Sequence, residues 1–333
     1  MHKRLVNHCT IELTLIPDGP ILIKSGKEGA NPTKPDMEFV ETYYADGRSI
    51  YLPGSSLKGA IRAHAERIVR TVGSDHKPEN NQGIWANDPL NDDYNYLKDK
   101  KDKQKKLPSY ELYKESSFTD QIFGNTAIAS RFRIEDAYPV DPKKLKIEER
   151  NGVAIDRVFG SAVSGALFNY QVCTSGDFRT KIHLKNFTLA QLGLIGLVLR
   201  DLHEGWFGIG FAKSRGMGLV KVRLDSAVVQ YPGCIIDKAT DKICHLGSLR
   251  TWDKRTLLGV SQFFNPDDKQ QKEEQKKYGY DKVKKDIQAD LPVAAKGTKL
   301  GFGVQLTWTG DEQVKDLFIK AVKSWSALLG VAA

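Results

Sequence analysis

One stretch constrains this chain more than any other: residues 51–72, YLPGSSLKGAIRAHAERIVRTV. Pro53 keeps the residue before it out of helical geometry, and Ser55 or Ser56 can accept an orphan backbone N–H, so a helix start is predicted here. Leu57, Ile61, Ala65, Ile68 and Val72 then recur at three- and four-residue spacing, which places one stripe of the helix on a core. Lys58 and Arg62, four residues apart, share its first two turns. Free amides, the positive end of the helix dipole and two cations suit a phosphate. Gly54, Ser55, Ser56, Lys58 and Arg62 are therefore candidate anion ligands. A helix packed on a sheet, with its basic residues solvated, accounts for the same residue types.

The rest of the chain supplies what that helix packs against. Cys9, Ile11, Leu13 and Leu15 alternate with Thr10, Glu12 and Thr14, a half-buried strand. A loop rich in Gly, Pro and Lys (25–35) leads to Asp36, and an Asp46-Gly47 turn between aromatic and aliphatic runs predicts a hairpin. Residues 74–117 are polar, with a lysine cluster at 98–106, and read as an insertion with little core of its own. Ile128, Phe132 and Ile134 fall on one face of a strand, with Arg131 and Arg133 on the other. Residues 178–184 read as a further strand. Thr188 and Gln191 form a capping box for a helix that Gly205 ends. Gly208, Gly210, Gly216 and Gly218 make a loop whose amides can approach phosphate, with Lys213, Ser214 and Arg215 alongside.

The order strand, helix, strand, strand, helix, strand predicts an α+β fold, a ferredoxin-like or RRM-like βαββαβ core. The core covers 1–73 and 118–226, interrupted by the 74–117 insertion. The RRM aromatic triplet is missing from the strands. In the 227–333 extension, KQQKEEQKK (269–277) reads as exposed, and residues 299–308 read as a strand. Val314, Leu317, Phe318, Ala321, Val322, Trp325, Leu328 and Leu329 build an amphipathic helix. That pair fits either a partial second unit of the same type or an appended helix docked on the core or a neighbouring subunit.

Lys plus Arg number 50 against 41 Asp plus Glu, a net charge of +9 that favours a polyanionic partner. No run approaches the ~18 apolar residues of a membrane span, and the N-terminal residues lack the apolar core of a signal peptide, so a cytoplasmic protein with no membrane partner is expected. Cys9, Cys173, Cys234 and Cys244 form no CxxC pair, and neither disulfides nor a structural zinc are expected.

PGSSLKGAIR (53–62) resembles the glycine-serine motif of the RAMP superfamily, the proteins that form the backbone of type III CRISPR effector complexes of the Csm and Cmr kinds. Three further stretches resemble that family in the same order. FGNTAIASRFRIED (123–136) is similar to its FG-x-x-x-S-R-F-x-x-D segment. NGVAIDRVFGSAVSGALFNY (151–170) is similar to the stretch bordering its projecting β-hairpin thumb (here about 135–170), and WFGIGFAKSRGMGLVKV (206–222) to its glycine-rich loop. The resemblance implies guide RNA, single-stranded target RNA and other effector subunits as partners. It implies RNA contacts at Gly54, Ser55, Ser56, Lys58, Arg62, Arg131, Arg133, Arg157, Lys213, Ser214 and Arg215. It also implies metal-dependent cleavage of target RNA by an Asp before the glycine-serine turn, using Mg²⁺ or another divalent cation. Asp36 matches that position, although the family's Asp-x-Pro-Val is here Asp36-Met37-Glu38-Phe39; Asp46 is the competing assignment.

Three functions remain on these grounds. The first is an RNA-guided endoribonuclease subunit in which Asp36 works through a metal, by ribose 2′-OH attack on the adjacent phosphate. The second is a backbone subunit that grips RNA without cutting it. The third is a processing enzyme for precursor guide RNA with a histidine base, for which His8 and His64 stand without identifiable partners. An Asp156–Arg157 pair inside the hairpin is the rival account of Arg157.

Overall fold

The computed structural model describes residues 4–26, 35–44, 47–79, 83–88, 90, 97 and 107–330. Asp46 and the lysine cluster 98–106 lie outside these residues.

Strand β1 (His8–Pro17) is the centre of the molecule, and its alternation is the one the sequence predicts. Cys9, Ile11, Leu13 and Leu15 are buried on one face, while His8, Thr10 and Glu12 reach the other. The chain then makes the hairpin β2 (Glu41–Tyr44) and β3 (Gly47–Ile50) and enters α1 (Gly54–Val72). Two short helices, α2 (Ser109–Glu115) and α3 (Asp120–Phe123), lead to β4 (Phe132–Ile134) and β5 (Tyr138–Pro139). The long strands β6 (Lys146–Ile155) and β7 (Ala162–Ser175) pair with each other as a projecting hairpin, largely exposed. β8 (Phe178–Lys185), α4 (Leu189–His203) and β9 (Val220–Tyr231) complete the core.

In the main sheet the order β9-β1-β8-β4 is antiparallel throughout, with α1 and α4 as crossovers. This is the ferredoxin-like βαββαβ arrangement. The Thr188–Gln191 capping box opens α4 as predicted. Helix α1 differs in two details. No serine side chain caps it; instead the Asp136 carboxylate accepts the Gly54 N–H at 2.7 Å. Its buried stripe runs Leu57, Ile61, Ala65, Val69, with His64 and Glu66, so Val69 rather than Val72 continues the core face. Val72 keeps the azimuth of the 57–61–65 stripe, but it is the last residue of the helix and 48 % exposed there.

The extension continues the same sheet. β10 (Cys234–Ile236), β11 (Ile243–His245) and β12 (Thr251–Trp252) form a small sheet of their own. β13 (Leu257–Leu258) pairs with β14 (Ile287–Gln288), and the predicted exposed segment between them is a short helix, α5 (Lys269–Lys277), capped by Asp268. β15 (Lys296–Gly297) and β16 (Val304–Thr309) extend the main sheet beyond β9, and α6 (Asp311–Leu328) lies against α4. That approach needs glycine: a Cβ on Gly193 would stand 2.8 Å from the Ala321 carbonyl oxygen. The insertion also contributes core, since Tyr113 of α2 is 1 % exposed. Among the described residues no helix is long and apolar enough to cross a membrane.

One buried carboxylate ties the extension to the core. Asp286 accepts the Leu189 N–H at the start of α4 (2.7 Å) and the Ser261 N–H (2.8 Å). Burial pushes its carboxyl up to about 6, against the pull of those hydrogen bonds. The folded state therefore holds the proton where the unfolded chain, with a carboxyl near 4, has released it. The contribution of Asp286 to stability is full below about pH 4, declines as pH rises to about 6, and is lost above. Asp286→Asn should flatten that part of the stability profile. Urea midpoints at pH 4, 5 and 6.5 check it; an undiminished slope in the variant contradicts the assignment.

Candidate functional site

The residues singled out by sequence fall into two surface clusters and a buried set. The first cluster sits where α1 starts beside the sheet edge. Backbone approach fixes this junction: a Cβ on Gly54 would lie 2.6 Å from the Ile134 carbonyl oxygen, so the P-G-S-S turn can press on β4 only with glycine at 54. A cleft of about 570 Å³ opens here, lined by Gly54, Ser55, Lys58, Ser130, Arg133 and the open-face residues His8, His183 and Lys185. The Lys58 Nζ donates to Ser130 Oγ at 2.9 Å, and burial, with Arg62 close by, holds its ammonium pKa below the usual lysine value. Arg133 is exposed and reaches Glu135 at 3.1 Å.

The second cluster gathers at the other end of the sheet. Between β1 and β9 the chain segments lie side by side. The Phe211 N–H donates to the Leu22 carbonyl (2.7 Å), the Cys173 N–H to Ile21 (2.8 Å) and the Val40 N–H to Ile23 (2.9 Å). The glycine-rich loop, residues 20–26, the segment carrying Asp36 and strand β7 thus form one mat. Asp36 is exposed, and its carboxylate accepts the Asn169 N–H of the hairpin at 2.9 Å. Lys213, Ser214 and Arg215 are exposed on the loop, where Gly216 and Gly218 take positive φ. The Arg215 guanidinium lies 4.9 Å from the Phe211 ring centroid and the Lys24 ammonium 5.5 Å, so one ring carries two cations. The chain entering α1 is linked to this mat, since the Tyr51 N–H donates to the Val40 carbonyl at 3.4 Å.

Arg157 stands apart, exposed at the turn between β6 and β7. Asp156 does not pair with it. Its carboxylate accepts the Val158 and Phe159 N–H groups at 2.7 and 2.9 Å, and those bonds hold its pKa down. Beside Arg157 the exposed Val158 and Phe159 give the turn an apolar surface.

Two arginines have structural engagements instead. Arg131 is not on an open strand face: it is 3 % exposed, beneath the Tyr113 ring at 4.0 Å. Its Nη1 lies 2.9 Å from the hydroxyls of Tyr113 and Tyr280 and 2.7 Å from the Asn186 carbonyl oxygen. The arginine therefore joins insertion, core and extension. Arg62 reaches Glu66 (2.7 Å), Asp120 (2.9 Å) and the Gly124 carbonyl (2.9 Å). His64 is likewise interior, bonded to Asp201 at 2.8 Å and stacked on Phe207. Ser56 is half-buried on α1 and does not line the cleft.

The alternation of β8 could have exposed His183 and Lys185 as cleft residues, since both precede or follow a core position in the strand. Lys24 carried no comparable signal, because its place beside Phe211 depends on two loops meeting. Among the described residues no group of three or more His, Cys, Asp and Glu is arranged to hold a metal ion. Burial pushes the Cys234 thiol up to about 12.

A family model described as the RAMP superfamily matches residues 14–221. No curated protein matches the chain.

The structural role of Arg131 has a measurable consequence. Arg131→Met leaves a carbonyl and two hydroxyls without their buried donor and should cost about 3 kcal/mol. A lowered urea midpoint checks this. A wild-type midpoint combined with weakened RNA binding would instead make Arg131 a ligand.

Proposed function

This chain belongs to the RAMP superfamily, and from that premise we propose that it is an RNA-binding backbone subunit of a type III CRISPR effector complex that cleaves guide-paired target RNA at Asp36. The superfamily is associated with CRISPR effector complexes, and membership implies RNA and other protein subunits as partners. The observation that carries the catalytic part is the position of Asp36: exposed, and fixed by the Asn169 N–H to a hairpin that projects from the sheet.

One oxygen of Asp36 is oriented by that amide, and among the described residues no hydrogen bond engages the other. A single carboxylate suits Mg²⁺, which commonly takes one or two carboxylates and completes its shell with water and substrate phosphates; it does not make a zinc site. When bound, such a cation would neutralise charge at the phosphate undergoing attack. The hairpin's part is positional: an exposed ribbon can splay a strand and bring a ribose 2′-OH in line with its own 3′-phosphate. The 2′-oxygen then bonds to phosphorus and its proton passes to water. The bond to the 5′-oxygen breaks, and that oxygen takes a proton from water, leaving a cyclic phosphate and a 5′-hydroxyl. Lys213, Arg215 and Lys24, on the same mat, would hold flanking phosphates through charge and close backbone. Sequence would be read by guide pairing, with the protein gripping the backbone.

In a complex reconstituted with guide and target RNA, Asp36→Ala should reduce cutting at this subunit's position by at least about 100-fold, the scale of a lost catalytic group. RNA affinity should stay within about two-fold. Gel analysis of target fragments checks both, and unchanged cutting with RNA bound leaves the non-cutting backbone subunit as the function.

A further inference from the structure

We propose that the open face of the sheet carries a ribonucleotide subsite in which a base stacks on His8 while its phosphate meets Lys185, Arg133 and Lys58. The proposal rests on reading the chain as an RNA binder, and does not involve Asp36.

The platform is built from two adjacent strands. Thr10 of β1 is directly opposite His183 of β8, so His8 lies diagonal to His183 on the same face. Their rings are stacked at 5.6 Å between centroids with an interplanar angle of 28°. His183 is held at both nitrogens, by Glu135 at 2.8 Å and by the Thr10 hydroxyl at 3.3 Å. The ring beneath is therefore locked, and the half-buried His8 borders the cleft of about 570 Å³. That volume is within the range of small-ligand sites.

Cations predominate in the cleft, with Glu135 just outside its lining and paired to His183 and Arg133. Lys58, Arg133 and Lys185 line the cleft with the two histidines, and none of its lining residues is acidic. Burial, reinforced by His183, Arg133 and Lys185, lowers the His8 pKa from its usual value, so near neutral pH His8 offers an uncharged aromatic face. A flat neutral ring flanked by cations is what a base with its phosphate requires: unstacked bases bind on His, Phe, Tyr or Trp, and ammonium or guanidinium groups take the phosphate. An inorganic anion would use the cations and leave the ring pair without a role.

The test uses the full chain and a short single-stranded oligoribonucleotide containing 2-aminopurine, whose fluorescence falls when it stacks. Binding should quench it. His8→Ala should remove the quench and weaken affinity about ten-fold, the scale of one lost base–aromatic stack. His8→Phe, which keeps a ring on the same strand face, should retain both. Lys185→Ala should lower the slope of log affinity against log salt by ~1. His8→Ala with quench and affinity within two-fold of wild type overturns the subsite. AMP is the second probe: equally tight, His8-dependent binding of AMP would assign the cleft to a free nucleotide and overturn the strand reading. Absence of any quench with the wild-type chain, alongside intact Asp36-dependent cutting, sinks this subsite alone. A His8-dependent quench with no effect of Asp36→Ala on cutting sinks only the cleavage reading.

Discussion

The register between β1 and its two neighbours is the constraint on which the rest depends. With Ile11 opposite Ile182 and Thr10 opposite His183, the apolar set of each strand faces the helices and the polar set faces outward. A slip of one residue in β8 would carry Arg179, Lys181, His183 and Lys185 into the core and Phe178, Ile182 and Leu184 into water. Side chains such as Phe178 and Ile182, buried at 0 % exposure, each contribute on the order of 2 kcal/mol by leaving water, so the correct register is strongly favoured. The cationic outer face is thus a by-product of the same alternation that builds the interior. Any function placed on that face inherits its stability from the core behind it.

Period-two and period-3.6 patterns are local, and they were legible. They gave the strands, the helix α4 with its Thr188–Gln191 box, the amphipathic α6, and hence the βαββαβ order. Which partner satisfies a polar group is a long-range matter, and there residue type misleads. Ser55 and Ser56 looked like caps, yet the Gly54 N–H is taken by Asp136, 82 residues away. Arg131 looked like an outward phosphate ligand, yet two tyrosines from the insertion and the extension close over it. A guanidinium has five donors, and a fold with carbonyls and hydroxyls to satisfy can recruit it as readily as a phosphate can.

The same reasoning explains why one candidate cluster was half visible. Gly54, Ser55, Lys58 and Arg133 could be read from strings because each lies in a contiguous motif. His8 and His183 are 175 positions apart and mean nothing until the β1–β8 pairing sets one beside the other. The Asp36 mat was hidden in a similar way. Its parts come from the loop after β1, the approach to β2, strand β7 and the glycine-rich loop, and only the ladder of amides from Phe211 to Leu22 and from Val40 to Ile23 assembles them.

Two distinct basic clusters on one sheet also bear on what kind of ligand suits the molecule. A mononucleotide can engage one cluster and gains nothing from the other. A strand that leaves the cleft at α1 and reaches the glycine-rich loop meets the second cluster as an intramolecular event, at an effective concentration set by the intervening nucleotides. Each phosphate neutralised on the way releases counterions, so modest contacts accumulate into an affinity that salt erodes steeply. The hairpin tip, apart from both clusters, carries Arg157 beside exposed Val158 and Phe159, and apolar wedges act on stacked bases rather than on isolated ones. Two clusters, their charge and the exposed apolar tip together favour an extended polyanion with bases over any small anion.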